Sequence, residues 1–351
     1  MTDSIFILSI PILFTAFTSW SFTYFLIKFL SKLGILDHPN ERSNHKVPVP
    51  VGGGISIIFT FGFIMLTTYG LSGDHERLTL FPREQIAIFI CALILAIVSF
   101  IDDVKSVSRI LRLVLQSFAV GLCLFLIKTS NPEFLVFQGL LPDTIDTILT
   151  FLLWIWFINL FNFMDGIDGI SGVQTISISA GIFLIIGIAP TLTSALGEVM
   201  FFNMILFASS LGFLLWNWQP ARIFLGDVGS VPLGFILGWS LLKLAANGFW
   251  IPAIILPLYY LGDSTTTLIK RLSDGKKIWQ AHSEHCYQLG VRSGMSHARV
   301  SSYILLTNII LIAMAVISTF QESVVANIII ILISFSIVAF LLIFFRGRNV
   351  N

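Results

Sequence analysis

The sequence predicts an all-α polytopic membrane protein, because its composition, the length of its apolar stretches and the placement of its basic residues agree. Of its 351 residues, 56% are apolar and 11% are charged, and the mean hydropathy is +0.92. A soluble domain has about 45–50% apolar and about 25% charged residues. The net charge of +1 indicates no particular partner, and we expect no nucleic-acid partner.

A membrane-spanning helix needs about 20 mostly apolar residues, and a backbone in lipid must satisfy its own hydrogen bonds, which favours helices. About eleven stretches reach this length. They are residues 4–29, 51–71, 85–101, 110–128, 144–163, 171–189, 197–217, 229–246, 250–270, 300–319 and 326–345. We expect one integral-membrane domain over residues 1–351, in which the first stretch is a retained span, because it lacks the features of a cleaved signal peptide.

The distribution of Lys and Arg predicts the orientation, since cytoplasmic loops carry an excess of both. With eleven spans, sixteen of the 20 basic residues fall on one side and four, Arg77, Arg83, Lys128 and Lys243, on the other. The basic side is therefore predicted to be cytoplasmic, with the N-terminus outside and the C-terminus inside. The two longest connections fall on the cytoplasmic side, so we expect the functional site there. The three cysteines imply no disulfide framework.

Five motifs lie on this side, each before an even-numbered span. The first, DHPNERSNHKVPVPVGGG at residues 37–54, contains Arg42 and Lys46, which could meet a phosphate. Its three consecutive glycines allow the backbone to approach a ligand closely. The alternative is a basic anchor with a flexible start to the next span.

The second motif, IDDVKSVSRILRLVLQ at residues 101–116, ends one span with Asp102 and Asp103. Adjacent carboxylates repel each other unless a cation or a shared proton relieves them. Arg109 and Arg112 follow at the beginning of the next helix. The alternative is a solvated loop in which Ser108 caps that helix.

The third motif, NLFNFMDGIDGISG at residues 159–172, places Asn159 and Asn162 on one helix face. Asp165 continues the spacing, and Asp168 adds a second acid. Asn and Asp oxygens in this pattern suit a hard cation such as Mg²⁺. The alternative, asparagines that join packed helices followed by a turn, does not explain two successive Asp-Gly pairs.

The fourth and fifth motifs are shorter signals. PARIFLGDVGS at residues 220–230 holds Asp227 between glycines, and its alternative is a capped turn. AHSEHCYQLGVRSGMSHARV at residues 281–300 holds His282 and His285, which could bind metal or donate to a pyrophosphate, although a zinc site usually has more ligands. Its alternative is an amphipathic surface loop. We expect the other four histidines, including His297, at the surface.

Helix N-termini favour phosphate, so converging motifs would form an anion site ringed by carboxylates. Those carboxylates would repel a phosphate unless a metal bridges them, which predicts Mg²⁺ or Mn²⁺ together with a phosphorylated substrate. No Walker P-loop is present. The rival class is a secondary transporter, but transporters place their sites near the membrane midplane within inverted repeats, and no repeat is visible here.

IDDV, NLFNFMDGIDGISG and FLGDVGS resemble the motifs of the polyprenyl-phosphate N-acetylhexosamine-1-phosphate transferases, glycosyltransferase family 4, and the resemblance runs over residues 34–300. It implies transfer of a sugar 1-phosphate from a UDP-N-acetylhexosamine to undecaprenyl phosphate, with release of UMP. It further implies a bacterial inner-membrane enzyme with a cytoplasmic active site, surrounded by membrane lipid. A homodimer is compatible with the sequence.

The resemblance also implies roles for single residues. Asp102 and Asp103 would face the lipid phosphate, one of them as a candidate base, with Asp165 in the same catalytic cluster. Asn162 and Asp227 would bind Mg²⁺. The substrate-binding residues would be Lys46, Arg112, Asn159, Asp168 near the uracil, His282 and His285. Because a phosphate is mostly ionised near neutral pH (second pKa about 6), Asp102 and Asp103 could instead orient the nucleophile or help to bind metal.

The fifth motif departs from the family pattern. Several members carry H-x-H-H, whereas this chain reads HSEHCYQ at residues 282–288. That form resembles the branch that starts O-antigen or capsule chains, often with 6-deoxy N-acetylhexosamines such as N-acetylfucosamine or N-acetylquinovosamine. The donor sugar itself is not predicted.

Overall fold

The computed structural model describes residues 2–39, 47–71, 83–105, 107–277 and 282–347. Within these residues, nine helices are long and apolar enough to cross a membrane, which confirms the predicted all-α polytopic class. Arg42 and Lys46, predicted to meet phosphate, lie outside the described residues.

Thirteen helices and two short strands form the described part of the chain. They are α1 (Thr2–Leu33), β1 (Leu36–Asp37), β2 (Val49–Pro50), α2 (Gly54–Leu71), α3 (Arg83–Lys105), α4 (Arg109–Ser130), α5 (Asp143–Phe163), α6 (Ile170–Ile188), α7 (Pro190–Asn217), α8 (Asp227–Ala246), α9 (Trp250–Ile255), α10 (Leu258–Ser273), α11 (Cys286–Arg292), α12 (His297–Ser318) and α13 (Val324–Arg346). The strands pair antiparallel.

Two of the predicted spans differ from a long continuous helix. The prediction of one continuous helix over residues 250–270 was wrong, because the chain forms α9 and α10 there, separated at Leu256 and Pro257. Pro257 has no backbone N–H with which to continue a helix from α9. The apolar part of α2, Gly54–Thr68, is shorter than the other spans.

The helix α8 forms the centre of the bundle. In the most apolar stretch of α8, 94% of the residues are buried inside the protein, compared with 22% in that of α1. It packs against α2, α3, α5 and α6. Glycines permit this close packing, since a Cβ at Gly238 would lie 2.9 Å from the Trp154 side chain. The central position of α8 fixes Asp227, at its first turn, relative to the surrounding helices.

The three consecutive glycines of the first motif lie against the beginning of α8. The N–H of Gly53 donates to the Phe224 carbonyl at 2.8 Å, and that of Gly54 to the Leu225 carbonyl at 2.9 Å. A Cβ at Gly54 would lie 2.1 Å from the Cα of Gly229. The expected close approach to a ligand is therefore, in the described residues, a close approach between α2 and α8.

The helix α10 turns its polar face toward the protein interior and its apolar face outward, the reverse of a surface helix in a soluble protein. Asp263, Ser264 and Thr267 are buried inside the protein, whereas Ile269 and Leu272 are more than half exposed. An exposed apolar face is favourable in contact with lipid rather than water. The polar face of α10 is consequently available to hold other segments of the chain.

A buried ion pair joins α3 to α8 at the end of the bundle away from the five motifs. Lys243 Nζ lies 2.8 Å from Glu84 Oε1, and the Trp239 indole N–H donates to the same carboxylate at 2.8 Å. Glu84 lies in the first turn of α3 and Lys243 in the last turn of α8. The two helices are therefore tied together far from the acids at the other end of α3.

The contact between α2 and α8 can be tested with Gly54→Ala. The added methyl group would overlap the backbone of Gly229, so we expect a loss of at least about 1–3 kcal/mol of unfolding free energy, as for other overpacked sites. Thermal unfolding of the purified protein in detergent measures this loss. The control is Gly187→Ala in α6, where no atom lies within 4 Å of the added Cβ. Equal midpoints for Gly54→Ala and wild type would contradict the contact.

Candidate active site

Arg112, in the first turn of α4, joins two acids that come from different helices. Its Nη1 lies 2.6 Å from Asp102 Oδ2 and 3.0 Å from Asp227 Oδ2. Ser108 caps α4, as the sequence suggests, and its side chain accepts the Leu111 N–H. Charge-assisted hydrogen bonds of this kind are short and directional. Arg112 thus brings the end of α3, the start of α4 and the start of α8 together.

Asp103, the neighbour of Asp102, is bound to the backbone at the beginning of α8. Its Oδ1 accepts the Asp227 N–H at 3.1 Å and its Oδ2 accepts the Val228 N–H at 3.2 Å. These groups belong to the first helical turn, where N–H groups have no partner within the helix. A Cβ at Gly226 would lie 2.7 Å from Asp103 Oδ2, so the glycine leaves room for this cap. Asp103 therefore sets the position of Asp227.

Asn162, at the end of α5, completes the cluster around Asp227. Its Nδ2 donates to Asp227 Oδ1 and to Ser230 Oγ, both at 2.8 Å. Asp227 therefore accepts from Asn162 on one oxygen and from Arg112 on the other. Five predicted site residues, Asp102, Asp103, Arg112, Asn162 and Asp227, belong to one hydrogen-bonded cluster.

Asn159 lies one turn before Asn162 and has a different partner. Its Nδ2 donates to Gln116 Oε1 and to the Ile155 carbonyl, both at 2.8 Å. Gln116 is almost fully buried. The pair joins α4 to α5, in keeping with the alternative of asparagine packing between helices, while Asn159 still lines the cavity described below.

Asp165 follows α5 in the turn that leads to α6. The pKa of Asp165 is raised to about 7, chiefly by burial and also by the nearby Asp227 and Asp168, while a hydrogen bond from Ser171 partly opposes the rise. Near neutral pH the carboxyl group is therefore only partly ionised.

Asp168 lies apart from this cluster, among residues that join α6 to α12. Its Oδ1 lies 3.1 Å from His297 Nδ1, and its Oδ2 accepts the Ala221 N–H at 3.1 Å. The expectation of a surface position for His297 was wrong, because its imidazole is buried against Asp168. A site for uracil at Asp168 stays a prediction.

His282 and His285 lie before α11, and the polar face of α10 holds this segment. The Asp263 carboxylate accepts the backbone N–H of Cys286 at 2.8 Å and of Tyr287 at 3.1 Å, and His285 Nδ1 lies 3.4 Å away. Asp263 is fully buried. The sequence reasoning missed it, although a carboxylate inside a predicted span is a signal of function.

The two histidine rings are neighbours, with centroids 4.9 Å apart. Burial, together with the neighbouring His285 and the positive charge of Arg271, lowers the pKa of His282 to about 4. His282 is consequently neutral near pH 7 and would act as a hydrogen-bond donor or acceptor rather than as a charge.

A cavity of about 520 Å³ lies between α4, α5 and α11. Its walls include Arg109, Arg112, Asn162, Asp165, His285 and Tyr287. Asp102 and Asp227 lie behind Arg112 and Asn162 rather than on the walls themselves. The second, third and fifth motifs thus border one cavity, with the acid of the fourth motif directly behind it.

The described residues contain no group of three or more His, Cys, Asp or Glu side chains that could hold a metal ion. A mixed set fits the chemistry of a hard cation better, since carboxylate and amide oxygens are its preferred ligands. Asp102, Asn162 and Asp227 supply such oxygens, so these residues could hold Mg²⁺. Arg112, which pairs with both acids, would have to release them to a bound cation.

Comparisons with known proteins show which family and which relatives the chain is similar to. The family model for Glycosyl transferase family 4 matches residues 85–245. A probable undecaprenyl-phosphate N-acetylglucosaminyl 1-phosphate transferase of Bacillus subtilis is 24% identical over 76% of this chain and 72% of its own length. The undecaprenyl-phosphate alpha-N-acetylglucosaminyl 1-phosphate transferase of Escherichia coli K12 is 28% identical over 86% of this chain and 81% of its own length. A phospho-N-acetylmuramoyl-pentapeptide-transferase of Moorella thermoacetica is 43% identical over 18% of this chain and 20% of its own length.

The charge of Asp165 can be tested through the pH dependence of stability. Because its folded pKa of about 7 exceeds the ordinary 3.8, the folded state binds the proton more tightly, and the wild type loses stability as pH rises between these values. Asp165→Asn stays neutral. With EDTA present, we expect its thermal midpoint relative to wild type to be higher near pH 8 than near pH 4. The exposed Asp274→Asn is the control, and a pH-independent difference for Asp165→Asn would contradict the interpretation.

Proposed function

Because the chain belongs to glycosyl transferase family 4, among the polyprenyl-phosphate N-acetylhexosamine-1-phosphate transferases, we propose that it transfers an N-acetylhexosamine 1-phosphate from a UDP-sugar to undecaprenyl phosphate. The products are a diphospholipid-linked sugar and UMP. The observation that carries the proposal is the cluster of Asp102, Arg112 and Asp227 beside one cavity, all within the residues that the family model matches.

In the reaction, an oxygen of the lipid phosphate attacks the phosphorus that carries the sugar. A new O–P bond forms while the bond to the phosphate oxygen of UMP breaks, and UMP leaves with the electron pair. Such a transfer depends on positioning and on neutralisation of charge. The lipid phosphate is mostly ionised near neutral pH (second pKa about 6), so no strong base is needed.

The basic wall of the cavity suits this reaction. Arg109 and Arg112 lie on the side formed by α4, where guanidinium groups can bind phosphate oxygens in pairs. His282 and His285 lie on the side formed by the segment before α11 and can donate to the diphosphate. The role of Lys46 in binding phosphate remains a proposal based on the resemblance.

The contacts of Asp103 favour a positioning role over that of a base. Both of its oxygens accept backbone N–H groups of α8, and this cap orients Asp227. A base would need a free oxygen within reach of the proton that it removes. Asp102, whose Oδ2 is bound to Arg112, is likewise better suited to holding positive charge.

Asp102, Asn162 and Asp227 would hold Mg²⁺ through their oxygens. When bound there, the ion would neutralise charge on the diphosphate. Asp165, only partly ionised near neutral pH, would add less repulsion toward a phosphate than a full carboxylate. Mn²⁺ would suit the same oxygen ligands.

The HSEHCYQ form of the fifth motif supports a narrower proposal for the donor. We assign the chain to the branch that starts O-antigen, capsule or related envelope polysaccharides, with a 6-deoxy N-acetylhexosamine as the favoured sugar. The excess of Lys and Arg beside the motifs supports a cytoplasm-facing site in the bacterial inner membrane. A homodimer stays a prediction.

A secondary transporter is the alternative from another class. Its substrate site would lie near the midplane, on discontinuous helices. The acids Asp102, Asp103 and Asp227 lie instead at helix ends. No observation favours the transporter over the transferase.

Release of UMP tests the proposed reaction. We expect the purified protein to release UMP only when a UDP-N-acetyl sugar, undecaprenyl phosphate and Mg²⁺ are all present, with a sugar-diphospholipid as the second product. A panel of UDP-GlcNAc, UDP-GalNAc, UDP-N-acetylfucosamine and UDP-N-acetylquinovosamine identifies the donor. Asp227→Asn is the inactive control. Absence of UMP with every donor would exclude the proposed activity.

The role of Asp103 can be tested with Asp103→Asn. Asparagine offers one oxygen to two N–H groups, so we expect a loss of about 1 kcal/mol of stability and a kcat lowered by the same factor near pH 6 and near pH 9. Thermal unfolding and a pH profile of kcat provide the measurements. Recovery of activity at high pH, where the lipid phosphate is fully ionised, would instead show that Asp103 handles a proton.

A further inference from the structure

Tyr287 lies in the first turn of α11, in a segment whose backbone is held firmly. The buried carboxylate of Asp263 accepts the N–H groups of Cys286 and Tyr287 at 2.8 and 3.1 Å. The ring of Tyr287 stacks on that of His285, with centroids 5.7 Å apart and an angle of 13° between the planes. The phenol group is therefore fixed in direction as well as in place.

The hydroxyl of Tyr287 reaches the first Asp-Gly pair of the third motif. A Cβ at Gly166 would lie only 2.3 Å from the Tyr287 hydroxyl oxygen and 3.1 Å from Gln288 Nε2. Gly166, Tyr287 and Gln288 all line the cavity. The absence of a side chain at residue 166 thus leaves space for two polar groups of α11.

This hydroxyl has no hydrogen-bond partner among the residues that the structure describes, although the side chain is fully buried. Two neighbouring buried tyrosines differ, since Tyr259 donates to Asp263 at 3.1 Å and Tyr260 shares a hydrogen bond of 3.0 Å with Ser171. Buried hydroxyl groups nearly always have a partner, because an unmade hydrogen bond is costly. Four other buried hydroxyl groups, those of Thr60, Ser179, Ser210 and Ser264, also lack a partner among the described residues, but none of them lines the cavity. The position of Tyr287 on the cavity wall points to a partner that comes from a ligand there.

The other groups on the cavity wall narrow the identity of that partner. The arginines Arg109 and Arg112 are the natural ligands of phosphate. The amide nitrogens of Asn159 and Asn162 already donate to protein oxygens. The Tyr287 hydroxyl is uncharged and uncommitted, which suits the neutral oxygens of a sugar, its hydroxyl groups or its N-acetyl carbonyl.

We propose that Tyr287 is a specificity-determining residue whose hydroxyl donates a hydrogen bond to the hexosamine unit of the nucleotide sugar. The proposal rests on the proposed transferase function and adds the part of the substrate that this residue contacts. Gln288, whose Oε1 accepts the His285 N–H at 3.2 Å, holds its Nε2 on the same side of Gly166 and would support the contact.

Tyr287→Phe tests the proposal, because it removes only the hydroxyl and keeps the ring. With purified full-length protein and the best donor of the panel, we expect the KM for the UDP-sugar to rise about five- to tenfold, as for the loss of one hydrogen bond. The KM for undecaprenyl phosphate and the inhibition constant of UDP, which lacks the sugar, should stay at their wild-type values. The thermal midpoint should not fall, since the hydroxyl has no protein partner.

Tyr260→Phe is the matched control. It removes a hydroxyl that is bonded to Ser171 and does not line the cavity, so the thermal midpoint should fall while the KM values of the folded protein stay unchanged. An unchanged KM for the UDP-sugar in Tyr287→Phe overturns the inference. An equal rise in the inhibition constant of UDP overturns it too, because it would assign the contact to the nucleotide. If wild type releases no UMP with any donor, the transferase function and this inference both fall.

Discussion

The binding of Asp103 to the first N–H groups of α8 sets the geometry of the whole site. It holds the end of α3 against the beginning of α8, and this places Asp227 beside Asp102. At the far end of the same two helices, Lys243 pairs with Glu84. Because α3 and α8 are joined at both ends, Asp102 and Asp227 cannot move apart without breaking buried contacts.

Acids held so close together require positive charge among them. Arg112 supplies it, with one nitrogen within 3.0 Å of both carboxylates. The same side chain lies on the cavity wall. A phosphate that enters the cavity would therefore compete with two carboxylates for one guanidinium, so the acids tune how strongly this wall binds an anion.

Much of this arrangement could be predicted from the sequence, because the signals were local. Long apolar stretches predicted the helices, and the basic residues predicted which helix ends lie together. The sequence therefore predicted that Asp102, Asn162 and Asp227 are neighbours. It did not predict the positions of Asp263 and His297, because their burial depends on partners distant in the chain. Asp263 meets Cys286 where α11 packs on α10, and His297 meets Asp168 where α12 packs on α6.

The inverted polarity of α10 makes the surrounding bilayer part of the site's support. Its inner face carries Asp263, which anchors the histidine segment, while Ile269 and Leu272 face outward. Acyl chains that pack against this outer face keep the inner face in contact with the rest of the protein. Stripping of annular lipid during solubilisation would therefore loosen the wall formed by His285 and Tyr287 before it unravels the central helices.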